Sequence, residues 1–160
     1  MQVFDASSMI YAWDNYPMRQ FPGLWEWMEA QIEGKQLVMA TVAFEEVEHK
    51  TPDSGKWLKD NHLEQLSISN AILQDAKRIK DLLGIVGDNY HSKGVGENDI
   101  LIIATTRAHG MELVSDEGKQ TNLPQDLSKS KIPAVCDMAG VSVTCINFIE
   151  YIKRSEAVFR

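Results

Sequence analysis

Carboxylates recur in this chain where its short apolar runs break off. Gln2-Val3-Phe4 ends at Asp5, and Leu37-Val38-Met39-Ala40-Thr41 leads toward Glu45 and Glu46. Gly96-Glu97-Asn98-Asp99 opens the run Ile100-Leu101-Ile102-Ile103-Ala104, and Met111-Glu112-Leu113-Val114-Ser115 ends at Asp116-Glu117. In a parallel α/β sheet the strand ends on one edge meet at a common crevice, so acids from four distant segments can converge there. Carboxylates packed together repel unless a proton or a cation sits between them. Hard oxygen donors of this kind favour Mg or Mn.

Each acid also has an ordinary structural role open to it. Asp5 suits a helix cap or a turn. Glu45 and Glu46 suit a solvated pair in the first turns of a helix, and Glu97 and Asp99 suit a helix N-terminus. Asp116-Glu117 can be a solubilising turn. What favours the site is their joint placement. Of the pair, Glu46 is the better ligand candidate, since it directly precedes the apolar Val47. The helix opened by Glu97 and Asp99 is apolar nearly all round, which implies burial and an N-terminus opening on a cleft rather than on bulk water. Other chemistries lack their patterns. His49, His62, His91 and His109 lie on separate segments without zinc spacing. There is no Gly-x-Ser-x-Gly turn and no phosphate-cradling Gly-x4-Gly-Lys.

The elements that must position these acids fit one domain over residues 1–160, with enough chain for a substantial core. The net charge of −7 argues against a broad nucleic-acid-coating surface but not against a local basic patch. Cys136 and Cys145 are too few for a disulfide framework and read as small buried thiols in a reducing compartment. No secretory segment opens the chain and no apolar run reaches membrane-spanning length, so the expectation is a cytoplasmic protein without a membrane partner.

Hydrophobic periodicity predicts strands at 2–5, 37–41, 111–115 and 141–146, with an edge strand at 65–68. Helices are expected at 22–33, 42–50, 70–83, 97–109 and 147–155, with short ones around Trp57 and from Pro133 to Gly140. Ser7 and Ser8 suit a turn or a helix start. Residues 51–55, 84–96 and 118–131 read as loops. Alternating strands and helices imply an α/β, three-layer sandwich around a mostly parallel sheet.

The order of motifs resembles a known family. Asp5-Ala6-Ser7 near the N-terminus, an acid after the second strand, Gly96-Glu97-Asn98-Asp99 opening an apolar helix, and Met111 to Glu117 together resemble the PIN domain of metal-dependent ribonucleases, in particular VapC-like toxins. Residues 131–136 and Gly140-Val141 also look like the tail of a VapC-like subgroup of unassigned function. The resemblance implies a PIN-like fold in which Asp5, Glu46, Asp99 and Asp116 hold metal and Ser7 orients Asp5 or a water. The third and fourth positions each offer two acids, Glu97 or Asp99 and Asp116 or Glu117. The implied activity is Mg- or Mn-dependent endoribonuclease cleavage, as the toxin of a toxin–antitoxin pair. Two divalent ions about 4 Å apart can supply an in-line water, charge neutralisation and leaving-group assistance. The alternatives are a catalytically silent PIN-like binding module and an RNA-processing nuclease that is not a toxin.

Substrate handling falls to local positives, for which Lys93, Arg107, Lys119, Lys129 and Lys131 are candidates. Trp13, Trp25, Trp27 and Trp57 suit core or interface packing better than base stacking. Trp13, Tyr16, Phe21, Trp25 and Trp27 are more rings than so small a domain readily buries, so an exposed patch is expected. The resemblance assigns such a surface to a homodimer or an antitoxin protein. The competing expectation folds these rings back onto the helix of residues 70–83.

Overall fold

The protein is described by a computed structural model covering residues 1–160. Its strands β1 (Gln2–Phe4), β2 (Leu37–Ala40), β3 (Gln65–Leu66), β4 (Glu112–Val114) and β5 (Cys145–Ile146) form one sheet in the order β3-β2-β1-β4-β5. Every neighbouring pair is parallel. Parallel strands are covered on both faces and so read as unbroken apolar runs. Val3, Phe4 and the whole of Leu37–Ala40 are accordingly fully buried.

Helices α1 (Ala6–Asn15), α2 (Pro22–Glu33), α3 (Thr41–Lys50), α4 (Pro52–Asp60), α5 (Asn70–Leu82), α6 (Glu97–Ala108), α7 (Ile132–Asp137) and α8 (Phe148–Ser155) flank the sheet. The α5 helix starts at Ser69, whose hydroxyl accepts a hydrogen bond from Ile72 N at 3.2 Å. It buries Ile72, Ala76 and Ile79 on one face. The α6 helix buries Ile100, Ile102, Ile103 and Ala104 together with Thr105 and Thr106. Both threonine hydroxyls donate to carbonyls four residues back, Leu101 O (2.7 Å) and Ile102 O (2.8 Å), so they are carried into the core without an unpaired polar atom.

Three elements differ from the sequence reading. The α1 helix extends for ten residues, where only a turn or helix start at Ser7-Ser8 is legible. Its buried face is Ala6, Ser8, Met9 and Ala12, mostly small or hydroxylated residues that give little periodic contrast. Residues 52–55 are the first turn of α4 rather than loop. Pro52 fits that first turn, and a Cβ at Gly55 would come within 2.9 Å of Glu48 Cα, so α3 and α4 pack at backbone contact. The last strand shrinks to Cys145–Ile146, because residues 138–142 turn tightly through Ser142 at φ +51°.

The aromatic residues of the N-terminal region are largely absorbed by the protein itself. Trp13, Trp25 and Trp57 pack edge-on or tilted, with ring centroids 5.0 to 6.3 Å apart. Trp27 lies against Tyr151 and Phe159, and Tyr16 against Phe21 and Phe148. The receiving elements are therefore α4, α8 and the C-terminal tail, not α5. Of the five rings only Phe21 is exposed, at 42%.

Candidate acidic site at the strand ends

The register of the sheet builds the site. Phe4 pairs with Val114, so Asp5 and Ser115 leave the sheet side by side at the C-terminal edge of β1 and β4. Asp5 N donates to Val114 O at 2.8 Å. Asp5 Oδ2 accepts two hydroxyl hydrogen bonds, from Ser7 Oγ at 2.5 Å and from Ser115 Oγ at 3.0 Å. The turn after β4 is fixed to the same hydroxyls: Asp116 N donates to Ser7 Oγ (2.9 Å) and Glu117 N to Ser115 Oγ (3.3 Å). The other oxygen, Asp5 Oδ1, is buried without any hydrogen-bond partner. An orphaned carboxylate oxygen in the interior carries a desolvation penalty.

Burial is the main reason that Asp5 is pushed up to about 6, with further upward pressure from the charges of Asp99 and Glu46. The two hydroxyls act in the opposite sense. Asp99, in the first turn of α6, is held above the usual carboxylate range by burial and then by Glu117 and Glu46. Its Oδ2 accepts from Gly96 N at 2.9 Å, so one oxygen caps the helix while the charge belongs to the cluster. Glu117 is raised by burial first, then by Asp5 and Glu46. Glu46, half-buried on the second turn of α3, acts on all three. The electrostatic neighbourhood thus joins Asp5, Glu46, Asp99 and Glu117 from four segments. Neighbouring Glu45 is exposed.

Two other candidates face elsewhere. Asp116 Oδ2 accepts from Ser8 Oγ (2.6 Å) and Phe148 N (3.3 Å), which ties β4 to α1 and to the start of α8. Its upward shift comes from burial, with no contribution from the other acids. Glu97 is exposed and lines a different cavity with Leu73, Lys77, Lys80 and Tyr90. Of the adjacent pairs, then, Asp99 and Glu117 are the members directed at the cluster.

The cluster's oxygen donors suit a hard divalent cation. The unpartnered Asp5 Oδ1 and the upward shifts of Asp5, Asp99 and Glu117, caused first by burial and then by neighbouring acids, are features that a bound cation would relieve. The side chains as they stand do not form a ready-made cage: no three His, Cys, Asp or Glu groups are arranged to hold one ion together. The fit is therefore one of charge and donor type. Lys50, one turn beyond Glu46, pairs with Glu46 Oε1 at 3.5 Å and lowers Asp99 and Glu117. Its ammonium partly offsets the crowded negative charge.

A cleft of about 540 Å³ opens beside Asp99 and Glu117. Lys93, Lys129 and Lys131 line it, as the sequence reading anticipates, but the other two positives do not. Lys119 pairs with Glu150 at 3.3 Å. Arg107 sits near the C-terminal end of α6, roughly 12 Å along the helix from Asp99, and is engaged with Asp75 and Val141 O. Ser115 and Lys50 are the site residues that sequence reasoning misses, together with Ser8, which holds Asp116 away from the cluster. Lys50 has a legible signal, its i,i+4 spacing from Glu46. The two serines become visible only once β1 and β4 are placed side by side.

Comparison with known proteins agrees with this architecture. A chain of VapBC2 from Rickettsia felis, in a crystal structure bound to a DNA fragment from their promoter, superposes with a TM-score of 0.55 at 16% sequence identity. The match covers 92% of this chain and 98% of that one. The likeness establishes a PIN-like fold. No curated protein matches the sequence. The profile of a family described as a domain of unknown function, DUF4411, matches residues 2–159. The chain belongs to the DUF4411 family.

Proposed function

We propose that the protein is a Mg- or Mn-dependent endoribonuclease that hydrolyses RNA phosphodiester bonds at this cluster, and that it is the toxin of a toxin–antitoxin pair. The observation that carries the reading is Asp5: a buried carboxylate with one oxygen fixed by two hydroxyls, the other unpartnered, and raised together with Asp99 and Glu117 by burial and by one another's or Glu46's charge. Asp5, Glu46, Asp99 and Glu117 would hold the metal. Ser7 and Ser115 aim Asp5 by occupying Oδ2, which leaves Oδ1 for the ion. Asp116 supports the turn that carries Glu117. Bound divalent cations would supply water activation and neutralise the phosphate. The likeness to VapBC2 supports an antitoxin partner, with Met18 and Phe21 as the exposed apolar surface offered to it or to a second copy.

The direct test is incubation of the purified protein with RNA. Cleavage should require Mg or Mn and stop on addition of a chelator; cleavage unaffected by chelator would refute the mechanism. Among variants, Glu117→Gln should reduce cleavage by about 10²-fold or more, on the scale of losing one transition-state electrostatic contact. Asp116→Asn should stay within about tenfold of the parent, because an amide oxygen can still accept from Ser8 and Phe148 N. The reverse order would move the ligand assignment to Asp116.

The absence of a preformed three-ligand cage and the Lys50–Glu46 pair favour a second reading, a catalytically silent binding module. Such a module would bind RNA and cleave none at any metal concentration.

A further inference from the structure

The cleft beside the acids is made by two long connections, residues 83–96 between α5 and α6 and residues 115–131 between β4 and α7. They are fastened to each other. Val95 N donates to Ser130 O at 2.9 Å. A methyl group at Gly94 would overlap the Ser128 carbonyl, so the turn of residues 92–95 lies directly on residues 128–130. Within the second connection Gln120 acts as a clip: its Nε2 donates to Lys129 O (3.1 Å) and its Oε1 accepts from Lys131 N (2.9 Å). Ser128 is tied in turn to Asp126 Oδ1 through both its backbone N and its hydroxyl. The backbone that carries Lys129 and Lys131 is thus held from both sides, with Lys93 opposite.

None of these three lysines belongs to an ion pair. Ammonium groups left unpaired around a cleft, in a chain whose net charge is −7, stand against the prevailing field of the molecule. The cleft's apolar lining is slight, Val95 and Ile132 among eleven residues, and it contains no aromatic ring. A single strand in such a groove can be held by its phosphates but not by base stacking.

We propose that Lys93, Lys129 and Lys131 form a phosphate-binding rail for single-stranded RNA, that Gln120 is the positioning residue which holds two of the three in place, and that the strand is read by its backbone with little regard to base. This rests on the nuclease reading for the identity of the substrate. It goes beyond that reading in naming the path of the strand and the basis of its selectivity.

The test is equilibrium binding of a fluorescein-labelled 12-nucleotide oligouridylate and a mixed-sequence RNA of equal length, in chelator so that no cleavage intervenes. For three neutralised phosphates the plot of log affinity against log salt should have a slope near −2, at about −0.7 per contact in a single strand. Lys129→Ala and Lys131→Ala should each flatten it by about 0.7, and Lys→Arg at either position should restore it. Lys119→Ala, outside the cleft, should leave it unchanged. Gln120→Ala should weaken binding in chelator and, in separate cleavage assays with Mg or Mn, raise KM with little change in kcat, while thermal melting confirms a folded protein. The two RNA sequences should bind within about threefold of each other, since no stacking contribution separates them.

A slope indifferent to the lysines, a preference above about tenfold for one sequence, or binding confined to the same dodecamer made as DNA would overturn the proposal. The two readings fail separately. Loss of the lysine effect with chelator-sensitive cleavage intact removes only the rail, whereas full cleavage by a variant lacking the Asp5 charge removes the nuclease mechanism and leaves the binding result standing.

Discussion

Asp5→Asn should abolish RNA cleavage to within detection, a loss of at least about 10³-fold, while the metal-free protein melts slightly higher than the parent. The loss follows from Asp5 being the deeply buried acid that Asp99 and Glu46 act on and that acts on Glu117: a thousandfold corresponds to about 4 kcal/mol of transition-state stabilisation, a scale suited to removal of that charge. The stability change has a separate origin. Burial, Asp99 and Glu46 hold the Asp5 carboxyl at about 6 instead of 3.8, so ionising it at neutral pH costs the fold roughly 3 kcal/mol at 1.36 kcal/mol per pH unit. Asparagine removes that cost and keeps an oxygen for the Ser7 and Ser115 hydroxyls. Its NH2 group then occupies the place of the orphaned Oδ1, where an unpaired donor costs about 1–3 kcal/mol. The net is a gain on the order of 1 kcal/mol, or about 2–4 °C in Tm for a chain of this size. Cleavage assays and melting in chelator read the two effects independently. An active variant, or an inactive one that has lost several degrees, would mean that Asp5 is a structural residue.

What could be read from the sequence, and what could not, divides along physical lines. The long amphipathic and apolar segments were legible: α2, α5 and α6 lie where the periodicity of Leu24-Met28-Ile32, Ile72-Ala76-Ile79 and Ile100-Ile103-Ala104 places them. The strands β1, β2 and β4 were visible as short apolar runs ending in acids or leading toward them, and their parallel pairing follows from the helices between them. The α1 helix was obscured because its buried face is made of Ala6, Ser8 and Ala12 around a single Met9.

At the site, the four segments were legible but the choice within adjacent pairs was not. Asp116 and Glu117 are neighbours, and only the bonds from Ser8 and Phe148 N to Asp116 show which one is turned away. Glu97 and Asp99 are two apart on a helix and so lie on nearly opposite sides of it; Asp99 is the one that reaches back to Gly96 N. Most of the aromatic surplus is taken up by elements that a count of rings against core size does not include: the tail, whose Phe159 covers Trp27, and the late helix α8, whose Phe148 and Tyr151 receive Tyr16 and Trp27, while Phe21 stays exposed.

The same buried charge fixes how stability should respond to pH and to metal. In the folded protein Asp5 keeps its proton up to about 6; in the unfolded chain it releases it near 3.8. Between these values the folded state binds more protons than the unfolded one, so stability falls as pH rises. The contribution is fully present below about pH 4 and is lost by about pH 7. Asp99, Asp116 and Glu117 are shifted in the same direction and add to the trend. For Asp5 alone the fall is about 3 kcal/mol, or roughly 6–12 °C in Tm.

Melting curves in chelator from pH 4 to pH 7 should show that decline, and Asp5→Asn should flatten it, which separates the local effect from the general titration of the chain. A divalent ion that binds only the folded, ionised cluster stabilises by mass action, by about 2.7 kcal/mol at a hundredfold excess over its Kd. Added Mg or Mn should therefore recover most of the lost Tm at pH 7, do little at pH 4, and do nothing for Asp5→Asn at either. Sodium chloride at matched ionic strength should not reproduce the recovery, because screening acts weakly on a carboxylate this deeply buried. A Tm that rises with pH in chelator, or a metal effect equal in the parent and the variant, would show that Asp5 is ionised and neutralised by the protein itself, and the acids would then be structural partners rather than a cation site.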